Sequence, residues 1–340
     1  MKEKIWNFNF VTILVVIFFH YMSVYLLLPI MPIYLIGEMH TSNTEMAVIL
    51  AGFSVVAFLI CPLAGYMIDN FKRRPILILF NIFFVLICLA YIFIHNHWVF
   101  GINRSLNGAA YSMVTVFGFT MTVNSVKQQF KDQSMLIYGF VSKCGMSIAP
   151  AIAIMMFKFG YSFDDIFLLS ALFSGAGLVA ILLINQKRQH AMEIKVKSTF
   201  DKKIFIKVIP LTLSLSLLTF TFGIINNYMA TYGIQNRHHA IESAVFFTLL
   251  AAGMVTLRAF TQNKVQQIQF PVAVLLSVLG IVMGIMSMGV WQTKWVFYFM
   301  ALIIGAGFEM LTVTFRRMFI DMSPSDRIGT GSSNYYMSWD

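Results

Sequence analysis

Long apolar runs separated by short polar segments follow one another along the whole chain. Each run has about 18 residues or more, enough for a helix to cross a hydrocarbon core about 30 Å thick. The runs lack the alternation of apolar and polar residues typical of barrel strands, so helices remain to satisfy the backbone polar groups in lipid. The pattern predicts an all-α integral membrane protein. Its ten predicted spans are Phe10–Ile36, Glu45–Met67, Pro75–Ile94, Trp98–Thr122, Met135–Phe157, Ile166–Ile184, Ile204–Tyr232, Ser243–Phe260, Phe270–Met288 and Trp295–Ile320.

The composition excludes other classes of protein. Hydrophobic residues make up 59% of the chain and charged residues 11%, whereas a soluble domain carries about 25% charged residues. Cys61, Cys88 and Cys144 lie far apart inside predicted spans, so neither a disulfide framework nor a metal site is predicted. The nucleotide-binding loop G-x-x-x-x-G-K-[ST] and the hydrolase motifs H-E-x-x-H and G-x-S-x-G are absent. We therefore expect no enzyme activity and no cofactor.

The net charge of +10 is explained by the distribution of basic residues among the loops and does not indicate a nucleic-acid site. With a cytoplasmic N-terminus, only Lys158, Arg237 and Lys294 fall in outer loops, as the positive-inside rule requires. We expect a multi-pass protein of the cell membrane with its N-terminus in the cytoplasm. The basic residues assigned to the inner side are Lys2, Lys4, Lys72, Arg73, Arg74, Lys127, Lys131, Lys187, Arg188, Lys195, Lys197, Lys202, Lys203, Lys207, Lys264, Arg316, Arg317 and Arg327.

Two sequence blocks recur at one offset of 197 residues. WVF at Trp98 recurs at Trp295, and GAAYSMVTV from Gly108 recurs as GAGFEMLTV from Gly305. A shared offset indicates a duplicated six-helix unit, arranged as a parallel repeat about an axis along the membrane normal.

The repeat predicts the domain organisation. We expect an N-terminal six-helix bundle over residues 1–184, a basic cytoplasmic linker over 185–203 and a C-terminal bundle over 204–340. Shifted by the same offset, the fifth and sixth spans would lie beyond Asp340. We therefore expect a C-terminal half that is truncated after the tenth helix and the start of the eleventh.

The loop after the second span, GYMIDNFKRRP, resembles a signature of the major facilitator superfamily, G-x-x-x-D-R-x-G-R-R/K. The matching residues are Gly65, Asp69, Arg73 and Arg74. Asn70 stands where the family has Arg, and Lys72 where it has Gly. The alternative is an inner basic loop that happens to contain an Asp. The resemblance implies a gating motif. The repeat places Asp69 on the same cytoplasmic side as the start of the eleventh helix at Gly329, so we expect Asp69 to help latch the inner gate.

Two further segments resemble signatures of the same family. Arg104-Ser-Leu-Asn107-Gly resembles R-x-x-Q-G, with Asn in place of Gln. The fifth span resembles G-x-x-x-G-P-x-x-G of the antiporter branch, although small residues and Pro at this spacing also serve helix packing. Its matching residues are Gly145, Ala149, Pro150 and Ala153. The matches are collinear along nearly the whole chain, which is therefore similar to this superfamily and most like its drug/proton antiporter branch.

The resemblance implies a fold of two six-helix bundles around a central cavity and alternating access by rocking of the halves. It further implies proton-coupled export of a small molecule, either a drug or a metabolite. A proton-coupled importer, or a non-transporting membrane sensor or scaffold of the same fold, is the alternative. The implied partners are the substrate, protons and the lipid bilayer, and we expect a monomer.

Ionisable residues well inside the spans are the candidates for coupling chemistry, because a charge in hydrocarbon is costly. Glu309 is the first candidate for a proton carrier, since burial favours the neutral form of a carboxyl group, and His20 is the second. The alternatives are a fixed ion pair for Glu309 and a neutral core residue for His20. Lys143 and Arg258 lie nearer the cytoplasmic side, where such side chains extend to the interface.

Arg104 is the main candidate for the cavity. It is expected either to pair with Glu309 across the halves or to attract an anionic part of the substrate; otherwise it extends to the outer interface. Asn107, Asn226 and Asn227 are further candidates for the cavity lining.

Overall fold

The computed structural model describes residues 5–184, 202–235, 240–261, 268–291, 293–322 and 328–339. Within these residues every regular element is helical, as the apolar pattern predicted. A 3-10 turn, Gln128–Phe130, precedes α6. The α-helices are α1 (Phe8–Leu27), α2 (Met31–Gly37), α3 (Asn43–Asn70), α4 (Arg73–Phe93), α5 (His97–Asn124), α6 (Lys131–Lys158), α7 (Phe163–Leu182), α8 (Lys202–Gln235), α9 (Ala240–Thr261), α10 (Phe270–Val290), α11 (Lys294–Asp321) and α12 (Ile328–Trp339).

Eight segments of the described chain are long and apolar enough to cross a membrane, with α1 and α2 counted as one. The protein is thus a multi-pass membrane protein. Helix α5 is outside this set, since it carries Asn103, Arg104, Asn107 and several hydroxyl side chains. Nearly all of its residues from Asn107 to Val123 are buried. Protein rather than lipid surrounds this part of the helix, so its polar residues find partners within the bundle.

Each of the ten predicted spans lies on helix, but the first span is not one helix. Phe10–Ile36 is broken between α1 and α2, at Leu28–Ile30. Pro29 and Pro32 lack the backbone N–H that would continue the helical ladder. The Ile30 N–H instead donates to the Leu27 carbonyl at 3.1 Å. The double proline therefore ends α1 and starts α2.

The repeat found in the sequence has a matching contact in each half. Gly108 in α5 packs directly on the backbone carbonyl of Phe53 in α3, and Gly305 in α11 packs directly on that of Leu250 in α9. The offset of 197 residues that relates the two glycines also relates Phe53 to Leu250. The helix pairs α3–α5 and α9–α11 are therefore equivalent, and each closes through a glycine that lets two backbones approach.

The helices form two groups, α1 to α7 before the predicted linker and α8 to α12 after it, although α8 begins at Lys202, inside the predicted range 185–203. The two groups meet where α6 packs against α9, and where α12 packs against α3 and α5. The predicted linker, 185–203, lies outside the described residues up to residue 201. The predicted domain boundaries stay a prediction.

We expect Gly108→Ala and Gly305→Ala to destabilise the protein by about 1–3 kcal/mol or more, because each new methyl group would overlap a backbone carbonyl that cannot move aside. Thermal denaturation of the purified protein in detergent measures this. Gly175→Ala in α7 is the matched control, since nothing lies within 4 Å of the added carbon. Equal melting temperatures for Gly108→Ala and Gly175→Ala would contradict the close approach.

Candidate functional site

A cavity lies between the two groups of helices. It comprises about 820 Å³ not occupied by protein atoms, part of it open to solvent. Helices α1, α3, α5 and α6 line it from one side, and α8, α11 and α12 from the other. Because both groups contribute walls, any movement of one against the other would change the shape of the cavity.

The cavity wall is strongly aromatic. Tyr21, Phe53 and Tyr111 come from the first group of helices, and Phe222 and Trp339 from the second. The Phe53 and Tyr111 rings lie 5.3 Å apart, and those of Phe222 and Trp339 also 5.3 Å apart. Rings at this separation form stable contacts and present flat apolar surface to a ligand.

Arg104 faces this cavity and is 1% exposed. Its Nη1 donates to Asn107 Oδ1 at 3.1 Å, and its guanidinium carbon lies 4.2 Å from the centre of the Phe53 ring. The structure thus places Arg104 in the cavity and not at the outer interface. Asn107 is buried behind it and positions the guanidinium.

The expectation that Lys143 extends to the membrane interface is wrong. It is 4% exposed and lines the cavity in the middle of α6. Its Nζ lies 4.6 Å from the centre of the Trp339 ring and 5.3 Å from that of Phe222. These cation–π contacts hold the ammonium group at the boundary between the two groups of helices.

Glu309 is fully buried and forms an ion pair with Arg258, with 2.6 Å between Oε1 and Nη1. This corrects two expectations. Arg258 is 5% exposed and does not extend to the interface, and the partner of Glu309 is Arg258 and not Arg104. The pair joins α9 to α11, behind the cavity wall. Of the two carboxylate oxygens, Oε2 has no hydrogen-bond partner among the described residues.

The equivalent position in the first half is neutral. The offset of 197 residues relates Arg258 to Cys61 and Glu309 to Ser112. Cys61 Sγ and Ser112 Oγ lie 2.9 Å apart and form a hydrogen bond between α3 and α5. The equivalent helix pairs are therefore joined by uncharged side chains in the first half and by an ion pair in the second half.

Gly139 in α6 leaves room for the guanidinium groups of Arg258 and Arg316, which lie against α6. A Cβ at this position would lie 2.6 Å from both terminal nitrogens of Arg258 and 2.8 Å from Nη1 of Arg316. The ion pair thus lies at the contact between α6 and α9, where the two groups of helices meet.

Arg316 lies in the cavity lining, next to contacts between the two groups of helices. It was assigned to an inner loop, but it is 8% exposed and lies over the rings of Tyr335 and Phe119 at 5.0 and 5.6 Å. Nearby, the hydroxyl oxygens of Thr120 in α5 and Ser332 in α12 lie 3.1 Å apart. These contacts join α5 and α11 to α12 near the C-terminal ends of α5 and α11.

His20 lies outside the cavity lining. Its ring is buried, stacks on Tyr111 at 5.5 Å and lies 4.8 Å from Phe84. Its Nε2 is 3.5 Å from Thr115 Oγ1. This environment is that of a core residue, which was the alternative given for His20.

The two asparagines of α8, Asn226 and Asn227, are among the residues that line the cavity. Asn226 is buried, and its Nδ2 donates to the Phe222 carbonyl at 2.8 Å. Asn227 makes the same contact with the Gly223 carbonyl. Each amide group is therefore anchored to its own helix one turn earlier.

The predicted gating residues lie where α3 ends and α4 begins. Gly65 is buried, and Asp69 belongs to the last turn of α3. Arg73 Nε donates to the Ile68 carbonyl, and Arg74 Nη2 to the Leu182 carbonyl at the end of α7. Burial and the neighbouring charge of Arg73 lower the pKa of Lys131 at the start of α6.

The fifth predicted span uses its small residues for packing. A Cβ at Gly145 would lie 2.9 Å from the Phe18 carbonyl oxygen in α1, and Ala149 and Ala153 are fully buried. Pro150 lies inside α6, which continues to Lys158. The packing interpretation explains these residues, and their role in direction of transport stays a prediction.

Sequence reasoning missed Arg316 as a member of this site. A signal was present, because Arg316 lies inside the predicted span Trp295–Ile320 and was nevertheless assigned to the inner loops. A charge inside a predicted span is a functional candidate before it is a loop charge.

Comparisons with known proteins place this architecture in a family. The model of the Major Facilitator Superfamily matches residues 13–340. The chain is 23% identical to Multidrug resistance protein 1 of Bacillus subtilis (strain 168), over 77% of this chain and 66% of that protein. It is 24% identical to Quinolone resistance protein NorA of Staphylococcus aureus (strain MSSA476), over 59% and 53% of the two chains. The alignments thus span between about half and two thirds of the length of these relatives.

A solved structure shares the fold. The crystal structure of the human organic anion transporter MFSD10 (TETRAN) matches with a TM-score of 0.75 and 13% sequence identity, over 98% of this chain and 90% of that one. The family is one of membrane transporters rather than enzymes, as the sequence motifs predicted. The chain belongs to the major facilitator superfamily.

Proposed function

We propose that the protein is a secondary transporter of the cell membrane that exports a small molecule, either a drug or a metabolite, in exchange for protons. Its N-terminus lies in the cytoplasm, in line with the basic inner loops. The names of the bacterial relatives, which refer to multidrug and quinolone resistance, support export. The proposed working unit is a monomer.

Transport proceeds by alternating access. In the proposed orientation the contacts of Arg316, Thr120 and Ser332 lie on the cytoplasmic side, where they would keep the cavity closed. Rocking of the two groups of helices separates these contacts and closes the opposite end. The cavity is then exposed to one side of the membrane at a time.

Proton coupling is carried by the Arg258–Glu309 pair, and one observation supports this. The equivalent helix pair in the first half closes with the neutral Cys61–Ser112 hydrogen bond, so packing of this helix pair does not require charge. Neutral side chains often replace a buried ion pair without loss of stability, which favours a functional reason for these charges. Protonation of Glu309 would release Arg258 and allow α9 and α11 to move relative to α6.

Vesicles with an imposed pH gradient and a panel of labelled compounds test the proposal. We expect Glu309→Gln to abolish accumulation of substrate against its gradient while exchange down the gradient continues. The amide of Gln can still accept the hydrogen bond from Arg258, so this variant loses less stability than one with an apolar side chain, but it cannot exchange a proton.

Ser112→Ala is the matched control, because it removes the neutral equivalent of Glu309 in the first half. It should leave uphill transport intact. Uphill transport at the normal rate in Glu309→Gln would exclude this residue as the proton carrier and return His20 to consideration.

A further inference from the structure

The charged side chains that line the cavity are all cationic. Its lining contains Arg104, Lys143 and Arg316, and no Asp or Glu among the described lining residues. The one buried carboxylate nearby, Glu309, is engaged by Arg258 at 2.6 Å. Cations shielded from water require a compensating charge, so the cavity has an unmet requirement for an anion.

The guanidinium group of Arg104 is held in an orientation suited to binding an anion. Its side chain is 1% exposed, and Asn107 and the Phe53 ring fix the guanidinium in place. Its buried Nε has no hydrogen-bond partner among the described residues. A guanidinium held in one orientation with a donor left over suits a planar anionic group that accepts two hydrogen bonds.

Lys143 provides the second cation, and the rings beneath it provide an apolar surface. Its Nζ rests on the Trp339 and Phe222 rings and forms no ion pair with any described carboxylate within 4.0 Å. An ammonium group that rests on ring faces without a close ion pair can exchange those contacts for a stronger one with an anion. The rings would then contact the apolar part of the same ligand.

We propose that the cavity binds an amphipathic organic anion, with a carboxylate or sulfonate group between Arg104 and Lys143 and an aromatic body against Phe222 and Trp339. This rests on the proposed transport function for its biological meaning, but the binding itself does not depend on turnover. Selection arises because a neutral analogue leaves the cations uncompensated and a cationic analogue is repelled.

Three ligands of one shape test the charge preference: 2-naphthoate, the neutral 2-naphthamide and the cation 2-naphthylmethylammonium. We expect the purified full chain in detergent to bind 2-naphthoate at least about tenfold more tightly than either analogue, the effect of one charge-assisted hydrogen bond. Equilibrium binding with radiolabelled ligands measures this. Equal affinities for 2-naphthoate and 2-naphthamide would overturn the proposal.

Substitutions locate the site. Arg104→Gln and Lys143→Gln should each remove about tenfold of the affinity for 2-naphthoate and leave that for 2-naphthamide unchanged. Lys158→Gln, which removes an exposed charge from the same helix as Lys143, is the matched control. If a Gln variant does not fold, Arg104→Lys and Lys143→Arg replace it and should keep the preference for the anion. An anion preference that survives in both folded Gln variants would also overturn the proposal.

Flux separates this inference from the proposed function. Anion-selective binding without flux of any compound would support the site and reject transport. Flux of neutral or cationic compounds without anion-selective binding would support transport and reject the site.

Discussion

Glu309→Met should destabilise the protein by about 3–5 kcal/mol, the cost of leaving one member of a buried ion pair without its partner. Arg258 would then be buried beside Arg316 and Lys143 with no described carboxylate to compensate it. A guanidinium cannot release its proton at accessible pH, so its charge persists. The melting temperature in detergent and the amount of protein in the membrane both report the loss.

Substitution of the other member of the pair, Arg258→Met, should destabilise the protein less. In Arg258→Met the remaining Glu309 can take up a proton and become neutral, which limits the cost of its burial. The double variant Arg258→Met/Glu309→Met should recover most of the stability, because neutral side chains of similar volume often replace a buried pair without loss. Three variants with one melting temperature would contradict this account of the pair.

The fold was predictable from the sequence because the bilayer imposes a simple rule on it. A run of about 20 apolar residues in lipid has to be a helix, so eight of the ten spans follow from hydropathy. The break at Pro29 was the exception, because hydropathy does not register a missing N–H. The repeat was also visible, since Gly108 and Gly305 are needed for the same backbone contact in each half.

The partners of the buried charges were not predictable in the same way. Arg104, Arg258 and Arg316 all lie in or next to predicted spans, and each was an eligible partner for Glu309. The choice depends on which helix pairs pack and how they are rotated, and α9–α11 packing selects Arg258. The repeat held a clue, because the offset relates this pair to Cys61 and Ser112, but two neutral residues carry no charge signal in the sequence.

The two halves therefore divide their tasks. Cations that face the cavity come from both, as Arg104 and Lys143 in the first and Arg316 in the second. The buried carboxylate comes from the second half, behind the cavity wall. The substrate would thus contact the side chains that line the cavity, and the proton would bind Glu309 behind them. Gly139 contacts both Arg316 of the lining and Arg258 of the buried pair.

A disulfide between Thr120→Cys and Ser332→Cys should stop transport. The two hydroxyl oxygens lie 3.1 Å apart, so sulfur atoms on the same side-chain stems reach the bond length of about 2.05 Å with a small shift. The bond would fix α5 to α12 and hold the cavity closed on the proposed cytoplasmic side, which alternating access does not tolerate. Flux in vesicles should be lost on oxidation and return with a reductant.

The experiment requires a background in which Cys61, Cys88 and Cys144 are serines, so that no native thiol competes. Either single cysteine variant, treated with the same oxidant, is the control and should transport normally. Binding of 2-naphthoate should survive in the cross-linked protein, since the opposite end of the cavity is not restrained. Normal flux through a fully cross-linked protein would show that α5 and α12 do not separate during transport, and the closed end would then have to lie elsewhere.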